Sequence, residues 1–251
     1  IQSFVIIPEG NIALGKLAQA MMYGATVLQI KGNFDEGLRL VRELAETIPI
    51  TIVNSINPYR LQGQKTAAFE IVDELGIAPD YHALPVGNAG NISAYWMGYE
   101  EYAQDGVCPN KPKMLGYQAS GAAPFIHDKI IESPETVATA IRIGSPQSWD
   151  KARHAVEASQ GWFSDLSDQE ILSAQRLLAQ QEGIFCEPAS AASIGGILRD
   201  IEQNKLAKDS TVVCTLTGHG LKDPEIAIEQ CKDKLISVPN ELEAIKKIIT
   251  I

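Results

Sequence analysis

Short apolar runs separated by helical patterns constrain the fold of this chain more than any other feature. Phe4–Ile7, Ala25–Ile30, Ile50–Val53, Tyr81–Val86, Met114–Tyr117, Ile184–Cys186 and Thr211–Leu216 read as strands. Between the first of these, Leu14, Leu17, Ala18 and Met21 recur at helical spacing, with Asn11 placed to cap the helix and Gly24 to end it. Leu38, Val41, Leu44 and Ala45 mark a second helix, and further helices are predicted over 66–75 and 92–105. Ser167 with Glu170 forms a capping box that opens a helix running to about Gln181, and another helix starts near Ala189. Strand–helix alternation of this kind predicts parallel sheets covered by helices. Thr211–Leu216, continuously apolar and β-branched, reads as a strand buried on both faces. The polar stretch Asn54–Lys65 is the best boundary between two α/β units, 1–53 and 54–251.

The chain of 251 residues is long enough to bury a sizeable core. Its net charge of −10 argues against nucleic acid and acidic membrane surfaces as partners, though a locally positive site can still take an anion. No apolar run approaches the ~20 residues that span a bilayer. Cys108, Cys186, Cys214 and Cys231 are too far apart in sequence to form a metal-type pair, so no metal site is expected. They read as reduced thiols of a cytoplasmic protein.

Four motifs can carry chemistry. Val86-Gly87-Asn88-Ala89-Gly90-Asn91 lies between a strand and a helix. Glycines permit close backbone approach, and the unpaired N–H groups that open a helix attract phosphate. The loop has neither the Gly-Lys-Ser/Thr of a Walker motif nor dinucleotide spacing, which points to one small phosphate; the alternative is a tight turn with Asn as cap. Thr215-Leu216-Thr217-Gly218-His219-Gly220 follows a strand, where open α/β sheets bind ligands, and reads as a ligand-facing hydroxyl or a Gly-rich turn. His219 reads as a turn residue. Asn54-Ser55-Ile56-Asn57-Pro58-Tyr59-Arg60 gathers amide, hydroxyl and guanidinium donors that suit a phosphate or simply form a linker. Glu187-Pro188-Ala189-Ser190-Ala191-Ala192-Ser193 opens a helix with small residues, which fits close helix–sheet packing or a flat ligand.

Taken in order, Asn57–Arg60 with Gly63-Gln64-Lys65-Thr66, Gly87–Asn91, Glu187–Ala192 and Leu216–Asp223 resemble the threonine synthases. The resemblance implies a tryptophan synthase β-like fold (fold type II), with two open twisted α/β sheets and the cofactor pyridoxal 5′-phosphate (PLP) in the cleft between them. It implies that Gly87, Asn88, Ala89, Gly90 and Asn91 cradle the PLP phosphate and that Thr217 bonds the pyridine nitrogen. It further implies that Asn54, Ser55, Arg60 and Asn88 hold the phosphate of O-phospho-L-homoserine, which is converted to L-threonine by a homodimer.

The chain opens Ile1-Gln2-Ser3-Phe4 in mid-strand pattern, which leads to the expectation of a preceding segment. The resemblance places the family's Schiff-base lysine there, so no lysine of this chain is nominated and these residues alone are expected to be inactive. The rival readings are a sibling PLP enzyme such as a threonine dehydratase and a non-catalytic phosphate-ligand module.

Overall fold

The computed structural model describes residues 1–9, 14–32, 34–54 and 57–249; Asn11 and Ser55 lie outside them. In chain order the elements are β1 (Phe4–Pro8), α1 (Leu14–Met22), β2 (Thr26–Ile30), α2 (Phe34–Thr47), α3 (Pro58–Gln64), α4 (Thr66–Leu75), β3 (Tyr81–Pro85), α5 (Gly90–Gln104) and β4 (Lys113–Ala119). They continue with α6 (Pro124–His127), α7 (Trp149–Ala158), β5 (Trp162–Leu166), α8 (Asp168–Glu182), α9 (Pro188–Glu202), β6 (Val212–Cys214), α10 (Pro224–Cys231) and α11 (Leu242–Ile249).

Two parallel sheets result. β1 and β2 pair from Phe4↔Thr26 to Pro8↔Ile30, and a four-stranded sheet runs β5-β4-β3-β6. In the larger sheet Tyr81 lies opposite Lys113 and Val212, so the carboxyl ends of β3, β4 and β6 fall along one edge. Arg42 Nη2 donates to Gln147 Oε1 at 2.7 Å, tying α2 to the segment before α7.

Period-two alternation fills both faces of the larger sheet. Tyr81, Ala83, Leu115 and Tyr117 pack with Ile171, Ala174 and Ile197 of α8 and α9. The intervening Leu84 and Met114 pack with Ile92, Trp96 and Tyr99 of α5 and Val156 of α7. Each fully buried large side chain contributes about 1.5–3 kcal/mol. Truncating one such as Ile92, which is wholly buried, therefore costs about 2–5 kcal/mol. Helix ends follow local chemistry. Gly76 and Gly183 adopt left-handed conformations after α4 and α8, and the Ser167–Glu170 capping box is formed.

Three expected strands change. Ile50–Val53 forms none, because no strand pairs with it among the described residues and the Ile52 carbonyl instead accepts from Asn57 Nδ2 at 2.6 Å. Ile184–Cys186 is reduced to one antiparallel bridge, Cys186↔His219, and the Cys186 carbonyl accepts from Gln175 Nε2. The strand predicted over Thr211–Leu216 shortens to Val212–Cys214 and lies half-buried at a sheet edge. Within the expected polar boundary, residues 58–64 form α3 because Pro58 suits a first helical position and Asn57 Oδ1 accepts from Tyr59 N at 2.9 Å.

Candidate functional site

The loop after β3 and the loop after β6 meet at the carboxyl edge of neighbouring strands. Ala83 and Cys214 are register partners, and Thr215 N donates to Ala83 O at 3.0 Å. This pairing brings Val86–Asn91 and Thr215–Gly220 side by side.

The first loop is tightly braced. A Cβ at Gly87 would stand 3.0 Å from Ile141 Cα and 3.1 Å from Ala140 O, so only glycine lets the turn rest on that backbone. Asn88 O accepts from Ser148 N at 3.1 Å. Ala89, almost wholly buried, holds φ 64 and ψ 14 as it caps α5, a conformation that is costly for a residue bearing a Cβ. Asn91 is a clamp: its Nδ2 donates to Pro85 O at 2.8 Å, and its Oδ1 accepts from Ile92 N at 2.9 Å. Asn88 differs, since its buried Oδ1 has no partner. Apart from Ile92 N, which Asn91 Oδ1 binds, the first-turn N–H groups of α5 have no intrahelical acceptor, and they carry the positive end of a 15-residue helix. The loop thus offers backbone donors and a helix terminus to an anion, whereas the unpartnered Asn88 Oδ1 is an acceptor and adds nothing to them.

Arg60 sits on the exposed side of α3, and its Nη1 lies 3.9 Å from where a Cβ on Gly90 would be. The cation therefore borders the loop directly. Asn54 is exposed just before α3, with its carbonyl accepting from Asn57 N at 3.1 Å.

The second loop is built on Ser190 and Glu187 at the start of α9. Ser190 Oγ accepts from Thr217 N and from Gly218 N, each at 2.9 Å, and lies 3.0 Å from Thr217 Oγ1. Glu187 is buried; its Oε1 accepts from Thr217 Oγ1 at 3.4 Å and its Oε2 has no partner. A Cβ on Gly218 would fall 2.3 Å from Glu187 Oε1, so the carboxylate occupies the space that a side chain would need. Thr217 itself is exposed. His219 Nδ1 accepts from Leu221 N at 3.1 Å and caps the following turn, matching its reading as a turn residue.

A buried polar chain runs behind these loops. His82 Nε2 and Thr215 Oγ1 are 2.7 Å apart, and His82 Nδ1 lies 3.0 Å from Tyr99 OH. Complete burial lowers the His82 pKa to about 3, so the ring is neutral. Burial raises the Tyr95 pKa, partly offset by side-chain bonds to Gln64 and Thr215. Burial also pushes the Cys214 thiol up to about 12 and the Cys186 thiol up to about 11. Among the described residues no group of His, Cys, Asp or Glu is arranged to hold a metal ion, and no helix is long and apolar enough to cross a membrane.

Sequence reasoning did not single out three contributors. The 139–141 turn forms the floor under Gly87 and is linked to the second loop by Thr139 Oγ1 donating to Asp223 Oδ2 at 2.9 Å. Gln64, quoted in the sequence only within the Gly63–Thr66 motif and given no role of its own, has a buried, unpartnered Oε1. Ser190 was legible only as a small residue opening a helix.

Comparison with known proteins gives a consistent picture. The profile of a family described as pyridoxal-phosphate dependent enzyme matches residues 1–218. Threonine synthase of Synechocystis sp. is 54% identical over 248 residues, covering 98% of this chain and 64% of that protein. Threonine synthase of Mycobacterium tuberculosis is 60% identical over 226 residues, covering 90% of this chain and 63% of that protein. For the threonine synthase of Halalkalibacterium halodurans the identity is 55% over 244 residues, covering 97% and 69% respectively. The chain thus spans somewhat under two thirds of the length of the first two relatives. Among solved structures, maize serine racemase matches with a TM-score of 0.73 at 19% identity, covering 93% of this chain and 70% of that one. The processed threonine deaminase isoform 2 of Solanum lycopersicum matches with a TM-score of 0.73 at 19% identity, covering 90% and 65%. At such identities these two establish the fold alone.

Proposed function

The chain belongs to the pyridoxal-phosphate dependent enzyme family and groups with its threonine synthases, and from that premise we propose that it carries the cofactor-binding part of an enzyme converting O-phospho-L-homoserine and water to L-threonine and phosphate. The observation that carries this reading is identity of 54–60% to threonine synthases across at least 90% of the chain.

The residues present fit PLP. Gly87 lets the loop seat tightly on the 139–141 turn, and α5 opens directly from that loop, so that its N-terminal N–H groups lie at the loop. Gly87, Asn88, Ala89, Gly90 and Asn91 are assigned to the cofactor phosphate, with Asn91 acting through the turn it clamps. Thr217 is assigned to the pyridine nitrogen, since it stands exposed at the carboxyl edge of the sheet beside the phosphate loop. When bound, PLP supplies the electron sink for the reaction, and the protein supplies orientation and electrostatics.

The substrate phosphate is assigned to Asn54, Ser55, Arg60 and Asn88. Arg60 neutralises the leaving phosphate, and its position on the exposed side of α3 lets a substrate enter and leave. We further assign residues 1–53 to a smaller α/β unit and 54–251 to the larger one. The two separate sheets favour that division. A cytoplasmic homodimer is the matching assembly, favoured by the resemblance, the free thiols and the exposed apolar residues Leu235, Ile236 and Leu242.

The test is product analysis on full-length protein with PLP. Equimolar phosphate and L-threonine from O-phospho-L-homoserine are expected. A 2-oxo acid and ammonia from threonine, with no phosphate release, would assign the chain to a dehydratase instead.

A further inference from the structure

A cavity of about 350 Å³ lies between α5 and α7. Ser93, Trp96, Met97 and Glu100 line it from α5, at spacings that put them on one helix face. Asp150, Lys151 and His154 line it from the first turns of α7. The volume admits a ligand of amino-acid size.

The lining combines three kinds of group. Trp96 and Met97 give it an apolar wall, and the buried indole N–H of Trp96 has no acceptor. Beside them stand two carboxylates, Glu100 and Asp150, one ammonium, Lys151, and one imidazole, His154. Among the described residues none of these four side chains forms an ion pair or a side-chain hydrogen bond. Both signs of charge therefore border one apolar recess without neutralising each other. A ligand that carries both charges on an apolar body meets every wall. Its cation faces Glu100 and Asp150, its carboxylate faces Lys151 and His154, and its hydrocarbon covers Trp96 and Met97. A simple cation would leave Lys151 and His154 unmet, and a simple anion would meet two carboxylates.

Both walls are bonded to the phosphate loop. Ser93 Oγ donates to Ala89 O at 2.7 Å. Ser148 N, at the start of α7, donates to Asn88 O at 3.1 Å. The two carbonyls belong to consecutive residues, so a change in the spacing of α5 and α7 acts on adjacent peptides of the loop. Ala89 between them already holds a costly left-handed conformation.

We propose that this cavity is a binding site for an α-amino acid with an apolar side chain, and that its occupancy shifts the phosphate loop through Ser93 and Ser148. The binding stands without the PLP reading above, and the effect on the cofactor rests on it. The effect is reciprocal, since a ligand that alters the loop's hold on a phosphate has its own affinity altered by that phosphate.

The experiment titrates full-length protein calorimetrically, with and without PLP. The probes are L-norleucine, 1-aminopentane, which lacks the carboxylate, and hexanoate, which lacks the ammonium. Saturable binding of L-norleucine alone is expected. Asp150→Asn and Lys151→Met, both at exposed positions, should each raise its Kd by roughly 10-fold or more, the effect of losing one charge-assisted contact. Absence of saturable L-norleucine binding overturns the site, as does equal binding of either control probe or an unchanged Kd in either variant. With PLP bound, L-norleucine should move the ³¹P signal of the cofactor phosphate, and its Kd should differ by about 5-fold or more between PLP-loaded and PLP-free protein. L-Norleucine binding with an unmoved ³¹P signal and one Kd in both forms overturns the coupling. A ³¹P signal of free PLP throughout overturns the PLP reading and the coupling with it, while the calorimetry still decides the site.

Discussion

Replacing Gly87 by Ala tests the phosphate cradle through a single methyl group. The new Cβ would meet Ile141 Cα at 3.0 Å, Ala140 O at 3.1 Å and Ile143 Cγ1 at 3.3 Å. Two of these are backbone atoms, and the 139–141 turn they belong to is held by Ile141 N donating to Ala138 O at 2.9 Å and by Thr139 bonding Asp223. Neither side yields cheaply, so the loop must move by a few tenths of an ångström. Overpacking of this kind costs about 1–3 kcal/mol. In a chain of this size, about 2 kcal/mol lowers Tm by roughly 4–8 °C. The same shift takes loop N–H groups off the phosphate; loss of one charge-assisted bond weakens PLP binding by roughly 10–100-fold. The matched control is Gly63→Ala in α3, where a Cβ meets nothing within 4 Å. There the change should stabilise the chain by about 0.5–1 kcal/mol, because alanine is the better helix former, and leave PLP affinity alone. Thermal unfolding and PLP titration of both variants form the assay. If Gly87→Ala matches Gly63→Ala in both readouts, the proposed assignment of the phosphate to this loop is wrong.

Three further outcomes follow from particular side chains. Arg60→Ala in full-length enzyme should lower kcat/KM for the phosphorylated substrate by roughly 30-fold or more while PLP content and Tm hold, since the residue is exposed; lost cofactor with unchanged kinetics would reverse the two phosphate assignments. Burial holds the Cys214 and Cys186 thiols far above neutrality and Cys108 is also buried, so alkylation at pH 7.5 should label exposed Cys231 alone in native protein and all four cysteines after unfolding. For His82 the folded pKa of about 3 lies below the unfolded value near 6.5, so unfolded chain binds the proton first. Stability is complete above about pH 6.5 and falls as pH drops toward 3. Between these limits it should fall about 1.4 kcal/mol per pH unit more steeply than in His82→Gln, measured by urea unfolding.

The parts of the fold read most fully from sequence were those with a local physical signal. The Ser167–Glu170 capping box, the helix over Thr66–Leu75 and the apolar strand at Tyr81–Val86 each carry their cause in adjacent residues. β5 went unread because Trp162-Phe163-Ser164-Asp165-Leu166 is half polar. As an edge strand it turns Ser164 toward Arg199, whose Nη2 donates to Ser164 Oγ at 2.7 Å. Ile50–Val53 misled for the opposite reason: its β-branched residues suit a strand, but pairing is decided by the neighbours that tertiary structure supplies. α3 was hidden by its Gly and Gln content, although Asn57-Pro58 carried the cap signal.

The site followed the same division. Its loops were visible as motifs, because turns and helix starts demand particular residue types. Asn91 illustrates what a motif leaves out: the sequence offered it as a phosphate donor, whereas its amide is bonded to Pro85 O and Ile92 N. Ser190 is the converse case, a residue of ordinary type whose importance arises only from the two backbone N–H groups that converge on it across 27 and 28 residues of sequence. Long-range convergence leaves no periodic or local mark.

Diffraction from crystals of the chain grown with PLP tests the central claim most directly. The account predicts the PLP phosphate within about 2.7–3.2 Å of N–H groups in Gly87–Asn91, with the pyridine nitrogen at hydrogen-bond distance from Thr217 Oγ1. A phosphate held by Arg60 away from that loop, or a ring turned from Thr217, would contradict it.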